Sequence, residues 1–154
     1  MHLIAVGQRM PGWVKESFAE YNKRLPDELR LNLVEITPAK RSKKRPAPEY
    51  IADEDKKIRD AIPKRSMVIA LDEKGKQLNS TTLSKVLRTW SQQGRDVTCV
   101  IGGADGLAED FKKSADMLLS LSSLTLPHAL ARVILVEQIY RAWTIMNNHP
   151  YHRD

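Results

Sequence analysis

Val97-Thr98-Cys99-Val100-Ile101-Gly102-Gly103-Ala104-Asp105-Gly106 is the stretch on which the fold turns. Its first half is an apolar and β-branched run without polar alternation, the pattern of a strand buried on both faces in a parallel sheet. The run then breaks into three glycines within five residues. With no Cβ in the way, backbone N–H groups there can turn outward and approach a ligand closely. In open α/β sheets ligands gather at the carboxyl ends of strands, where such a loop lies. The spacing is neither G-x-G-x-x-G nor a P-loop ending in Gly-Lys-Ser/Thr, which weakens the dinucleotide and triphosphate readings. The motif alone leaves two possibilities open: a ligand loop, or a plain tight turn between strand and helix.

Working outward, Met67 to Leu71 is a second continuous apolar run, with Asp72 to Lys76 as its exit loop and Gly75 as the turn residue. Ser80 or Thr81 then caps a helix carrying Leu83, Val86, Leu87 and Trp90, closed at Gly94. Upstream, Leu3 to Val6 reads as a strand ending at Gly7. Pro11 opens a helix with Val14, Phe18, Tyr21 and Leu25 on one stripe, and Leu31 to Thr37 alternates as a strand. Pro48 starts a charged helix whose thin apolar face is Ile51, Ile58, Ala61 and Ile62. Downstream, Leu107 to Ala115 is helical and Met117 to Leu121 is the last strand. Ser122 to Pro127 is a loop before a helix reaching about Asn147. Strands alternating with helices predict an α/β fold with a mostly parallel sheet.

The 154 residues, 42% hydrophobic and 29% charged, suit one domain spanning residues 1–154. No run approaches the roughly 20 apolar residues of a membrane helix, and the N-terminus lacks an export signal, so no membrane partner and a cytoplasmic location are expected. The lone Cys99 excludes an intrachain disulfide and a cysteine-based zinc cluster, and His149 and His152 lack further ligands, so no metal is expected. Lys and Arg total 25 against 19 Asp and Glu, a net of +6. Lys40, Arg41, Lys43, Lys44 and Arg45 concentrate much of that excess between Pro38 and Pro46. Such a cluster belongs on a solvated loop, serving either solubility or contact with a phosphate backbone.

From His128 to Met146 apolar residues cover nearly the whole helical circumference, whereas an outer-layer helix needs one stripe. The surplus face predicts a homodimer. Glu137 and Arg141 are spaced to pair at i,i+4. The chain ends Asn147-Asn148-His149-Pro150-Tyr151-His152-Arg153-Asp154, which can set a ring, Tyr151, and cations, His152 and Arg153, over a nucleobase. The alternative is a tail folded on the surface.

Together, Ile4-Ala5-Val6-Gly7, Ile101 to Gly106, Leu124-Thr125-Leu126-Pro127-His128 and Asn148 to Arg153 resemble the small SPOUT-class methyltransferases of the RlmH type. The resemblance covers essentially the whole chain. It implies transfer of a methyl group from S-adenosyl-L-methionine to N3 of a pseudouridine in 23S ribosomal RNA, on the ribosome. It also implies a SPOUT-type α/β knot, a deep C-terminal trefoil knot, and a homodimer. By resemblance Leu71, Gly103, Ser122, Ser123, Leu124, Thr125, Leu126 and Pro127 line the cofactor site. His128 and His152 are then candidates for taking the N3 proton, Arg153 for stabilising the uracil anion, and Tyr151 belongs to the same catalytic tail. Arg132 is a second candidate for substrate contact or for the cofactor's carboxylate. Where many relatives carry Pro and Glu, this chain has Ala104 and Asp105, which leaves the role of the acid open. Whether the tail serves its own subunit or its partner is also open. Two other classes compete: a ribosome-binding protein without cofactor, and a nucleotide-dependent oxidoreductase. For the latter, Glu35 sits inside its strand and fits poorly.

Overall fold

Strand and helix alternate from the first residues. The order is β1 (His2–Val6), α1 (Gly12–Asn22), a short 3-10 turn (Asp27–Leu29), β2 (Asn32–Ile36) and α2 (Ala47–Ala61), followed by β3 (Met67–Gln77) and α3 (Ser80–Gln92). Then come β4 (Val97–Ile101), α4 (Glu109–Ser114), β5 (Met117–Ser120) and α5 (His128–Met146). The structure is a computed structural model that describes residues 1–42 and 45–152. The five strands form one sheet in the order β2-β1-β4-β3-β5, and every pairing is parallel.

β4 lies at the centre of that order and is buried at every position, as its unbroken apolar run requires. The strand pleat sends alternate residues to opposite faces. Leu3, Ala5, Ile69, Cys99 and Ile101 meet Phe18, Leu83, Leu87, Leu135 and Ile139 from the helices α1, α3 and α5. On the other face Ile4, Val6, Ala70 and Val100 pack with Ile58 of α2 and Phe111 of α4. Each such Leu, Ile or Phe contributes about 1.5–3 kcal/mol by leaving water. Cys99 is core, and burial pushes its thiol up to about 12.

Three elements differ from the sequence reading. The exit loop expected at Asp72 to Lys76 is strand: β3 continues to Gln77, and a register shift lets both Leu71 and Lys76 pair with Leu119 of β5. Gly75 serves close approach rather than a turn, because a Cβ there would stand 2.7 Å from the backbone nitrogens of Leu119 and Ser120. Asn79, not Ser80 or Thr81, caps α3, its Oδ1 accepting the Thr82 N–H at 2.7 Å. α4 is shorter than Leu107 to Ala115, because Leu107 turns into the core and Ala108 and Ala115 have left helical geometry at either end.

α5 packs between α1 and α3 on one face of the sheet. Arg132, Leu135, Val136, Ile139, Tyr140, Ala142 and Thr144 are buried, while Leu130, Val133 and Ile134 are half-exposed. The apolar circumference read from sequence is thus covered within the chain on one side only. Among the described residues no helix is long and apolar enough to cross a membrane.

Candidate active site

A cavity of about 860 Å³ opens at the carboxyl ends of β3 and β4, between the Gly102–Gly106 loop and the loop that leads into α5. That volume lies within the usual range of small-molecule sites. Leu71, Gly103, Ser122, Leu124, Thr125, Leu126 and His128 all line it. Ser123 and Pro127 belong to the same loop, are exposed, and do not face the cavity wall.

Both loops are shaped by their own chemistry. The Gly106 N–H donates to the Gly103 carbonyl at 3.0 Å, closing a turn, and Gly106 has φ +82°, a conformation that excludes most side chains. At Gly102 a Cβ would stand 2.7 Å from the Gly106 carbonyl carbon. In the second loop Ser120 Oγ donates to the Ser122 carbonyl at 2.8 Å, and Ser122 Oγ accepts the Leu124 N–H at 2.9 Å. Leu124 is left 73% exposed at the rim, an apolar side chain with no cover from its own chain.

Charge surrounds the cavity asymmetrically. Lys112 of α4 lies 3.2 Å from Asp72 of β3, and its ammonium is held above the usual lysine range first by Glu109 and then by Asp72. Asp105 on the glycine loop pairs with Arg41 of the basic segment. His128 starts α5 at the cavity wall; burial, then Arg132, holds its imidazole below the ordinary value of 6.5, with Glu54 acting in the opposite sense.

Arg132 is not available to a ligand. It is 1% exposed, and its guanidinium donates to Glu35 at 2.7 Å and to the Gly7 carbonyl at 2.6 Å. Arg132 does not line the cavity, and this network places it beside the end of β1. Glu35 and the carbonyls at the end of β1 take hydrogen bonds from its two Nη atoms, while its buried Nε has no hydrogen-bond partner among the described residues.

The tail sits elsewhere. The Tyr151 ring meets Tyr140 edge-on at 4.8 Å, lies under the Arg141 guanidinium at 4.9 Å, and its hydroxyl donates to Glu137 at 3.0 Å. Burial, then hydrogen bonds with Tyr21 and Glu137, raises the phenol above its usual range. The Glu137–Arg141 pair expected from spacing is present at 2.6 Å. Glu137 is nine residues beyond His128 on α5, about 13 Å at the helical rise, so Tyr151 and His128 are not brought together within one chain. His152 is half-buried beside Tyr151, and Arg153 lies outside the described residues.

Sequence reasoning missed Glu54. It is 4% exposed and lies on the buried stripe of α2 with Tyr50 and Ile58. The signal was legible: a lone acid at i+4 from Tyr50 and i−4 from Ile58 interrupts an otherwise inward-facing row.

The fold and cavity define an α/β protein of the parallel-sheet kind, with a glycine-walled ligand site where β3 and β4 end. Residues 1–152 match the family described as "Predicted SPOUT methyltransferase". The chain belongs to the SPOUT methyltransferase family. It is 55% identical to Ribosomal RNA large subunit methyltransferase H of Paraburkholderia phymatum, over 99% of this chain and 98% of that one. It is also 55% identical to the protein of the same name from Herminiimonas arsenicoxydans, over 98% and 97%. Among solved structures, a probable methylase family protein from Haemophilus influenzae shares the fold with a TM-score of 0.58 at 14% identity, over 99% of this chain and 70% of that one.

Proposed function

We propose that this protein is an S-adenosyl-L-methionine-dependent methyltransferase of 23S ribosomal RNA, acting at N3 of a pseudouridine on the ribosome. The observation that carries the reading is the glycine-walled cavity flanked by His128, in a chain that matches large-subunit ribosomal RNA methyltransferases along its whole length. The cavity fits the donor: it is wide enough for a nucleoside with an amino-acid arm, and at Gly102 and Gly103 any Cβ would intrude on packed neighbours. Leu71, Gly103 and the Ser122–Pro127 loop would hold it, with Ser123 and Pro127 shaping the loop from outside. When bound, S-adenosyl-L-methionine supplies an electrophilic methyl group.

The rest of the chemistry falls to the chain. The N3 imide of pseudouridine must lose its proton to become a nucleophile. His128, kept neutral by burial and by the Arg132 charge, is suited to accept that proton at the cavity wall. Positioning supplies much of the remaining rate, since transfer needs an in-line approach to the methyl carbon. The reading carries with it the knotted C-terminal path and the catalytic role of Tyr151, His152 and Arg153.

The distance between Tyr151 and His128 along α5 favours a tail that completes the partner's site in a homodimer. Half-exposed Leu130, Val133 and Ile134 on α5 supply an apolar face for that dimer. A cytoplasmic location goes with a ribosomal substrate. The test is mass spectrometry of 23S ribosomal RNA from cells with and without the protein. Loss of one methyl from a pseudouridine supports the reading; identical RNA from both strains rejects it.

A further inference from the structure

Lys40, Arg41 and Ser42 of the basic segment are exposed, as expected of a solvated loop, yet the backbone of this stretch is tethered. α2 fastens it along one face: Lys57 Nζ donates to the Thr37 carbonyl at 2.9 Å, Glu54 Oε1 accepts the Ala39 N–H at 2.9 Å, and the Tyr50 hydroxyl accepts the Ser42 N–H at 2.7 Å. Residues 50, 54 and 57 are one helix turn apart in succession, so the segment runs along α2 like a strap. Ala39, amid cations, is only 7% exposed. The strap then crosses to the glycine loop, where Arg41 pairs with Asp105 while its guanidinium lies 5.6 Å from the centre of the Tyr50 ring.

Glu54 joins the two loops a second time. Its second carboxylate oxygen packs on Gly103, so closely that a Cβ on that glycine would fall well inside contact distance. A carboxylate this buried is costly unless paired, and among the described residues no cation lies within ion-pair distance of it.

We propose that Glu54 is a positioning residue for methyl transfer, holding the Thr37–Ser42 strap in fixed register with the Gly102–Gly106 loop. RNA phosphates gripped by Lys40 and Arg41 are thereby presented at a set height over the donor cavity. The proposal rests on the RNA methyltransferase reading and adds the residue that links its two binding surfaces. Reach, not charge, is what it requires of the side chain. Misplacement by about 1 Å at a reacting centre can cost on the order of 100-fold in rate.

The test compares Glu54→Gln, which keeps reach and loses charge, with Glu54→Asp, which keeps charge and withdraws by one methylene. Both are made in the whole 154-residue chain and assayed with S-adenosyl-L-methionine and assembled ribosomes from cells lacking the protein. Amide hydrogen exchange at Ala39 is the second readout. Glu54→Asp is expected to lower kcat about 10-fold or more and to speed Ala39 exchange by a similar factor, with donor affinity by calorimetry within about 3-fold. Glu54→Gln is expected to stay within about 3-fold of the parent on all three. The proposal is overturned if Asp outperforms Gln, if Asp matches the parent, or if donor affinity falls in step with turnover. Should the parent itself leave the ribosomes unmethylated, the proposed function fails, and the exchange at Ala39 still decides whether Glu54 holds the strap.

Discussion

Both ends of α5 carry polar residues, with the aromatic rings concentrated at the C-terminal end, and the two ends are used in opposite ways. At the N-terminal end the Ser122–Pro127 loop and His128 stand around an open cavity. At the other end His149 and Tyr151 are folded onto the helix, against Trp143 and Tyr140. Their 19-residue helix spans about 28 Å. Because Tyr151 folds back to Glu137, it rests about 13 Å along α5 from His128 at the cavity. The proposed function joins the two ends by having a second copy bring its tail to the cavity, an arrangement that mixed dimers test.

The largest expected effect falls on the cavity end. Gly103→Val places a branched side chain against the buried Glu54 carboxylate, so donor affinity by calorimetry should drop about 100-fold or more while the fold, read by circular dichroism, persists. Retained affinity would remove Gly103 from the site. Next comes the tail. Deleting residues 148–154 should abolish turnover yet leave donor binding within about 3-fold. Mixing that truncated protein with Gly103→Val should restore about a quarter of parental activity, because half of randomly reassorted dimers carry one complete composite site. No rescue, with mixed dimers verified by mass, would place the tail in its own subunit's site.

His128 gives a smaller and pH-dependent effect. Its folded pKa is lowered, first by burial and then by Arg132. Between the ordinary value near 6.5 and the lower folded value, the unfolded chain binds the proton and the folded chain does not. Stability should therefore be full above the ordinary value and decline as pH falls through that window. Turnover should keep its acid limb below the ordinary imidazole range, and His128→Asn should remove both the limb and that part of the stability slope. An acid limb unmoved by the substitution would assign the proton to another group.

Much of this was legible in the residues. The unbroken Val97–Ile101 run placed the central strand, and three nearby glycines marked the loop that walls the cavity. Gly75 misled because a glycine between charged residues reads as a turn, whereas here two backbones touch, a contact between residues 44 apart in sequence that no local pattern encodes. Arg132 misled in the same way: its partners Glu35 and Gly7 come from β2 and the end of β1, and pairing across the sheet cannot be read from a helix alone. The basic segment carried its charge in plain view, but its attachment to α2 depended on Tyr50, Glu54 and Lys57 facing one way. Only the interruption of an apolar stripe by Glu54 hinted at that.

The finest probe of the contrast between the two ends is Tyr151→Phe. The phenol hydroxyl donates to Glu137 Oε1 at 3.0 Å. That oxygen also accepts from Arg141 Nε at 2.9 Å and Nη2 at 2.6 Å, so losing Tyr151 leaves no buried acceptor unsatisfied. The cost should fall at the low end for a hydrogen bond, about 0.5 kcal/mol, or a melting shift of about 1–2 °C for a chain of this size. The ring stays, along with its edge contact on Tyr140 and the Arg141 guanidinium above it. If the tail's working position is over a target base in the partner, where stacking is what Tyr151 provides, turnover should change by less than about 2-fold. A collapse of turnover without a matching loss of stability would mean that the hydroxyl takes part in the chemistry and that Tyr151 leaves its resting place on α5 to do so.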